Sequence, residues 1–383
     1  MELQLQYLMA EHGRLHNMST VRTDKIELVP GTSKTALTLP NYTQVEQLYS
    51  MSGTIRFDTI SNNGWYQPIN YTAAIKRYAN IGGSTFGPNG GAASFHGLHT
   101  GTVNESVWCS DKEMFNVIAG CQLWRVPITA TYTLTARGAG RDMYGSSYGR
   151  SVTCDFKLYA GEWLRIICGA QGQYLATNHS GGHGASCISV FRQGMHIPVL
   201  IGGGGAGVTP NSPGSQNNNR NATPPMANPG DDTTYTGSSG FYSARDGMGG
   251  MGSVYQYNYT GQIDHWGGGG GGGWGSPGAG GGIGENLHEA SSGGRALSDH
   301  CPHGGYYESD DAAHGGFGGG GASGKDSGAA GGGGGWYGGN SSYATSTATS
   351  DDTSFLGGGS YSAVSGFTDN GTHGTYGQVD VSL

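Results

Sequence analysis

Seven consecutive glycines lie between two tryptophans at 266–274 (WGGGGGGGW), and shorter runs recur at 202–205, 318–321 and 331–335. No other feature restricts the possible folds so severely. Glycine loses more conformational freedom on folding than any other residue, about 0.5–1 kcal/mol relative to alanine in regular structure. The runs are therefore either linker or parts of a structure that requires backbone without side chains. A flexible linker is glycine and serine with few large apolar groups. This chain has 76 Gly among its 383 residues, but also 22 Tyr, 10 Phe and 7 Trp, and aromatic groups in such number need somewhere to pack. Collagen is excluded because glycine does not recur at every third position.

Polyproline-II backbone has three residues per turn and no internal hydrogen bonds. With glycine throughout, such helices can lie side by side and bond to one another, which satisfies buried backbone groups. The sequence thus predicts a glycine-rich helix bundle over 202–366, with structural positions at Gly202, Gly203, Gly204, Gly205, Gly267, Gly270, Gly273, Gly318, Gly321, Gly331 and Gly335. Aromatic residues at the run ends, Trp266, Trp274, Phe317, Trp336 and Tyr337, are expected to cap it.

The remainder is mainly β. Residues 1–17 read as a short helix or anchor, with Leu3, Tyr7, Leu8 and Leu15 near helical spacing. Residues 18–79 read as a small β unit for attachment or assembly, with a hairpin expected between 54–59 and 65–69. It holds too few apolar residues to stand alone. Within 80–201, strands are predicted at 122–127, 131–136, 152–158, 163–169, 188–191 and 197–201, with turn signals and no helical period between them. That order argues for an antiparallel sandwich or jelly roll. Residues 367–383 read as a closing strand that returns to the sandwich.

The segments 120–127 (GCQLWRVP), 132–134 (YTL), 138–140 (GAG), 158–166 (LYAGEWLRI) and 169–172 (GAQG) resemble the glycine-rich domain of the anaplastic lymphoma kinase and leukocyte tyrosine kinase receptors. The runs at 199–205, 293–297, 315–321 and 331–340 follow in that family's order. The resemblance covers about residues 84–383 and implies a TNF-like β-sandwich with an inserted bundle of glycine helices. The family also has a cysteine in its second glycine block, where this chain reads GASG at 321–324, so Cys301 lacks the partner the resemblance would suggest. No receptor span or kinase accompanies the domain. Residues 18–27, 37–40 and 52–65 resemble openings of virion structural proteins in tailed phages and large DNA viruses, and glycine-helix lattices are used by tail-fibre tip adhesins of T-even-type phages.

The chemistry-bearing motifs are sparse. The chain contains neither GxSxG nor HExxH, and the glycine runs are not followed by the GK[ST] of a phosphate loop. Residues 299–303 (DHCPH), with Asp310, Asp311 and His314 nearby, contain metal-ligating types at a spacing unlike defined zinc motifs. They are read as a polar loop, and no metal or cofactor is expected. The formal charge of −8 and the lack of a basic stripe argue against nucleic acid. No apolar stretch reaches the length of a membrane span, and residues 1–13 lack the pattern of a signal peptide. Six cysteines without a CxxC indicate neither a dense disulfide framework nor a zinc ribbon.

Aromatic loops with amide and carboxylate neighbours suit sugars or surface proteins, which makes Tyr306, Tyr307, Tyr255, Tyr257 and Tyr259 candidate ligand contacts. Packing within the domain is the equal alternative. The expectation is a non-enzymatic virion or surface-fibre adhesin, assembled as a homotrimer. It would contact other fibre proteins through residues 1–70 and a host glycan or surface protein through its loops. The alternatives are a subunit of a self-assembling filament and a secreted receptor-like binding module.

Overall fold

The computed structural model describes residues 54–59, 115–141, 147–174, 180–208, 221–226, 247–252, 267–281, 291–306, 313–324, 330–341 and 357–383. The chain divides between Gln44 and Val45, and every described residue falls on the C-terminal side. The expected helix over 1–17 and most of the β unit over 18–79 lie outside the described residues.

The described secondary structure is all β. Twelve strands run as β1 (Thr54–Asp58), β2 (Phe115–Ile118), β3 (Cys121–Arg125), β4 (Ala130–Arg137), β5 (Gly149–Leu158), β6 (Trp163–Ile167), β7 (Ser186–Arg192), β8 (Met195–Gly202), β9 (Thr223–Met226), β10 (Gly359–Ser362), β11 (Phe367–His373) and β12 (Gln378–Ser382). They form a five-stranded sheet A, in the order β1-β12-β4-β5-β11, and a seven-stranded sheet B, in the order β2-β3-β6-β7-β8-β10-β9. Pairing is antiparallel except between β9 and β10.

Period-two alternation builds the core. In β4, Tyr132, Leu134 and Ala136 are buried, while Thr131, Thr133 and Thr135 face outward, where Thr135 Oγ1 meets Thr153 Oγ1 at 2.8 Å. Val152, Cys154 and Leu158 of β5 and Val379 and Val381 of β12 join them from sheet A. Trp124, Leu164, Ile166, Ile188 and Val190 come from sheet B, so both sheets share one buried core. Trp124 lies edge-on to both Phe57 and Tyr132, with ring centroids 6.3 and 6.2 Å away. On the outward face of sheet A, Asp380 of β12 accepts from Arg56 of β1 at 2.8 Å and from Arg137 of β4 at 2.6 Å.

Three placements differ from the sequence reading. The stretch 54–58 is the edge strand of sheet A, paired with β12; the expected hairpin partner at 65–69 lies outside the described residues. The closing segment 367–383 makes two strands, and they stand at separate positions in sheet A: β11 beside β5, β12 between β1 and β4. β9 and β10, inside the glycine-rich region, extend sheet B. Neither β10 (GSYS) nor β11 (FTDNGTH) has a strand-like composition, and β11 is further interrupted by a register shift at Asp369/Gly371, where Gly371 has φ +87°.

Candidate functional site

Beyond sheet B the chain becomes a network of backbone hydrogen bonds. β4, β6 and β8 run on into it at 138–141, 168–174 and 203–208, and β7 and β10 are entered from it at 180–185 and 357–358. The rest of the network is built by 248–252, 267–281, 291–306, 313–324 and 330–341. Its bonds have a period of three. Along the seven-glycine run, Gly269 and Gly272 donate to Ala322 and Gly319 of one neighbour, Gly270 and Gly273 to Ala279 and Ser276 of a second, and Gly271 to Gly339 of a third. Along the 331–335 run, Gly331 and Gly334 donate to Ser180 and His183, and Gly332 and Gly335 to Gly269 and Gly272, each pair advancing by three residues on both chains. Neighbours lie so close that a Cβ at Gly270, Gly321 or Gly331 would fall inside contact distance of another backbone carbonyl. Gly202, Gly203, Gly204, Gly205, Gly267, Gly270, Gly273, Gly318, Gly321, Gly331 and Gly335 are all buried here.

The network has two unlike ends. At one, tight turns carry aromatic and apolar residues onto the outward face of sheet B. Leu297 and Phe317 are buried there with Cys121, Ile167, Cys187 and Ile201, and Trp274, Trp336, Tyr361 and Cys301 pack around them. Trp336 stacks on Tyr361 with centroids 4.2 Å apart, and the Phe317 ring covers Gly120. The Tyr337 hydroxyl bonds to Thr223 Oγ1. The turn at 297–301 is clamped by Arg165 of β6, a buried cation, which donates through Nη1 to the Leu297 carbonyl at 2.5 Å and through Nη2 to that of Asp299.

The other end is where long connections leave the network, and their described flanks bond to one another. Arg141 bridges Ser147 and Tyr174 bridges Ser180. Val208 donates to Ser180 Oγ at 2.8 Å, Gln173 to the His314 carbonyl at 2.8 Å, and Ala313 to Ser323 Oγ at 2.7 Å. Gly281 donates to Ser291, Ser292 to Tyr306, and Ser341 to Met251. Eight connections start and finish at such flanks: 142–146, 175–179, 209–220, 253–266, 282–290, 307–312, 325–329 and 342–356. By sequence these eight hold ten Asp and Glu against two Lys and Arg, a surplus of eight acids that equals the formal charge of the whole chain, −8.

Of the candidate ligand residues, Tyr306 is the one among the described residues. Tyr306 sits at the loop-bearing end, half-exposed and stacked on His314 with centroids 5.1 Å apart. Tyr307, Tyr255, Tyr257, Tyr259 and Trp266 lie outside the described residues, in connections that begin or end there. No family model matches the chain, and no curated protein matches it.

In the polar loop at 299–303, His300 is exposed and Asp299 and His303 are half-buried. His303 Nδ1 faces the Gly304 carbonyl at 2.8 Å, and Nε2 accepts from Arg295 Nε at 3.3 Å. Among the described residues, no three His, Cys, Asp or Glu side chains converge as a metal would require. Deep in the network, His183 is wholly buried. Its Nδ1 accepts from Gly172 N at 3.0 Å, so the ring proton is on Nε2, which has no partner. Burial, reinforced by the positive charge of Arg141, pushes its pKa down to about 3. Arg165 and His183 escaped the sequence reading. Each is one polar residue in an apolar or glycine-rich stretch, and only long-range contacts reveal its environment.

Proposed function

We propose that the chain is a non-enzymatic fibre or adhesin subunit of a virion or extracellular appendage, and that the loop-bearing end of the glycine network is its contact surface. The segments of the network are read as polyproline-II helices. A period of three in the donors of the 267–273 and 331–335 runs, whose bonds from 269–273 and from Gly331, Gly332, Gly334 and Gly335 all leave the run, is what a three-residue helix without internal bonds requires. The two sheets are read as a TNF-like jelly roll that carries this bundle. Assembly is assigned to a homotrimer, with other fibre proteins held through residues 1–70.

One observation carries the binding role: eight connections leave one end of the network, while turns bearing Leu297, Phe317, Trp274 and Trp336 pack on sheet B at the other, where only the 227–246 connection among the long ones has its flanks. Turns that need only close the network pack on sheet B. Four of the eight connections at the other end, 209–220, 253–266, 282–290 and 342–356, are longer than closure demands, and long loops on a rigid scaffold are where recognition concentrates. By sequence the eight connections include Tyr255, Tyr257, Tyr259 and Tyr307, and Tyr306 borders one of them, among amides and carboxylates, side chains that suit a glycan or a cationic protein surface.

The test is a loop exchange. Replacing 253–264 by a Gly-Ser linker of equal length removes the three tyrosines and leaves Trp266 and the network termini in place. The expected outcome is an unchanged melting temperature with binding to a glycan array and to intact bacterial cells reduced at least about tenfold. If neither the parent nor the variant binds, and the full chain assembles into filaments, the adhesin reading fails and the filament reading replaces it.

A further inference from the structure

Three thiols gather beneath the turn at 297–301. Cys121 opens β3 and Cys187 lies in β7, both on the outward face of sheet B, and Cys301 closes the turn over that face. The strand register separates the first two. Gln122 pairs with Ile166, and the next residue, Ile167, pairs with Cys187, so β6 stands between the cysteines. Two strand spacings amount to about 9–10 Å, beyond the Cα separation of roughly 7 Å that a disulfide can bridge. Cys301 is nearer. The Cys121 thiol lies 3.8 Å from the His300 carbonyl oxygen. In a trans peptide that oxygen is about 2.8 Å from the following Cα, so the Cys301 Cα is within about 6.6 Å of the sulfur. The Arg165 clamp on Leu297 and Asp299 holds the turn in this position.

We propose that Cys121 and Cys301 form a disulfide that staples the 297–301 turn of the glycine network to β3. Both residues are thiols in this structure. The oxidant is a small-molecule disulfide such as oxidised glutathione. Cys301, half-exposed, attacks it as thiolate and expels one glutathione thiolate, which leaves a mixed disulfide. Cys121 then attacks the Cys301 sulfur and expels the second. Two protein thiols lose two protons and two electrons, and one oxidised glutathione becomes two reduced ones. Burial raises the Cys301 thiol to about 11, with nearby Cys121 adding to the shift and Arg165 opposing it. The exchange is therefore slow at neutral pH and faster in mild base. Cys154 and Cys168 take no part, because both are buried in the core between the sheets.

The bond closes a span of about 180 residues, and long loops gain most from closure. Full-length protein is incubated with oxidised glutathione at pH 8.5 and compared with untreated protein by intact mass, by peptide mapping without reductant, and by thermal melting. The expected result is a loss of two mass units, a single cross-linked peptide pair joining Cys121 to Cys301, and a melting temperature raised by about 5 °C or more. Cys301→Ser abolishes all three, and Cys187→Ser leaves them intact. Retention of both thiols in folded protein, or a cross-link from Cys301 to Cys187 or Cys109, overturns the proposal. Cys301→Ala is the second variant should the serine disturb the turn.

Discussion

Gly270→Ala is the sharpest perturbation of the glycine network. An alanine Cβ at this position would stand 2.2 Å from the Gly250 carbonyl oxygen and 2.4 Å from its carbon, where ordinary contact begins near 3.4 Å. The two segments must separate by about 1 Å. Neither can move alone. Gly270 donates to Ala279 at 2.8 Å and accepts from Gly294 at 3.0 Å, while Gly250 donates to Gly271 at 2.7 Å and accepts from Ala279 at 2.8 Å. Overpacking of a rigid interior costs about 1–3 kcal/mol, and each buried backbone group left unbonded costs about 1–3 kcal/mol. Alanine returns roughly 0.4–1 kcal/mol by restricting the unfolded chain. The net expectation is a destabilisation of about 3 kcal/mol, or a melting temperature lower by about 4 °C. Gly366→Ala is the control, since nothing lies within 4 Å of its added Cβ; it should be neutral or slightly stabilising. Thermal melts read the difference, and amide hydrogen exchange at Gly250, Gly270 and Ala279 shows whether the loss is local. A Gly270→Ala protein that melts within about 1 °C of Gly366→Ala would refute the packed network.

Further expectations concern charged and titrating groups. Arg165→Met removes both bonds to the 297–301 turn and should cost about 2–4 kcal/mol; Arg165→Lys should recover little, because one ammonium cannot reproduce the planar fork. Thermal melts, with limited proteolysis at that turn, check this. His183 is neutral in the fold, with a pKa of about 3 against an ordinary 6.5. Its stabilising contribution is complete above pH 6.5 and is lost as pH falls toward 3, when the unfolded chain takes up the proton. His183→Gln should flatten the dependence of stability on pH in that window by up to one proton, about 1.4 kcal/mol per pH unit. Burial alone would raise the Asp380 carboxyl, but bonds from Arg56 and Arg137 outweigh it and hold the pKa below the usual value. Asp380→Asn should therefore lose about 1–3 kcal/mol at pH 7, and chemical denaturation should show the gap to the parent closing as pH falls below about 4.

How much could be read in advance depended on the range of the interaction. The strands β3 to β8 and β12 were legible because alternation is a local signal: Tyr132, Leu134 and Ala136 mark one face of β4 without reference to any partner. The glycine network was legible as one of two alternatives, linker or packed backbone, with Trp274, Phe317 and Trp336 at the run ends favouring the second. Its bonding partners were not, because seven identical glycines contain nothing that distinguishes the neighbour at 322 from those at 279 and 339. β10 and β11 stayed hidden for a related reason. They are strands because β8 and β5 offer them an edge, and GSYS and FTDNGTH carry little preference of their own. The loop-bearing end could be read residue by residue, as tyrosines beside carboxylates. Its unity came only from the long-range bonds that join the flanks of the connections.

The threefold bonding pattern gives the network something like a reading frame. In the polyproline-II reading proposed above, each residue turns the backbone by a third of a revolution, so the neighbour addressed by an amide depends on its count along the run. One glycine inserted within 267–273 would redirect every later amide in that run to the wrong neighbour. Three would restore the phase and merely lengthen the segment by about 9 Å. Change in such a protein is therefore quantised inside the runs and free in the connections. Loops can be exchanged, extended or recoded at the outer end while the lattice beneath them keeps count.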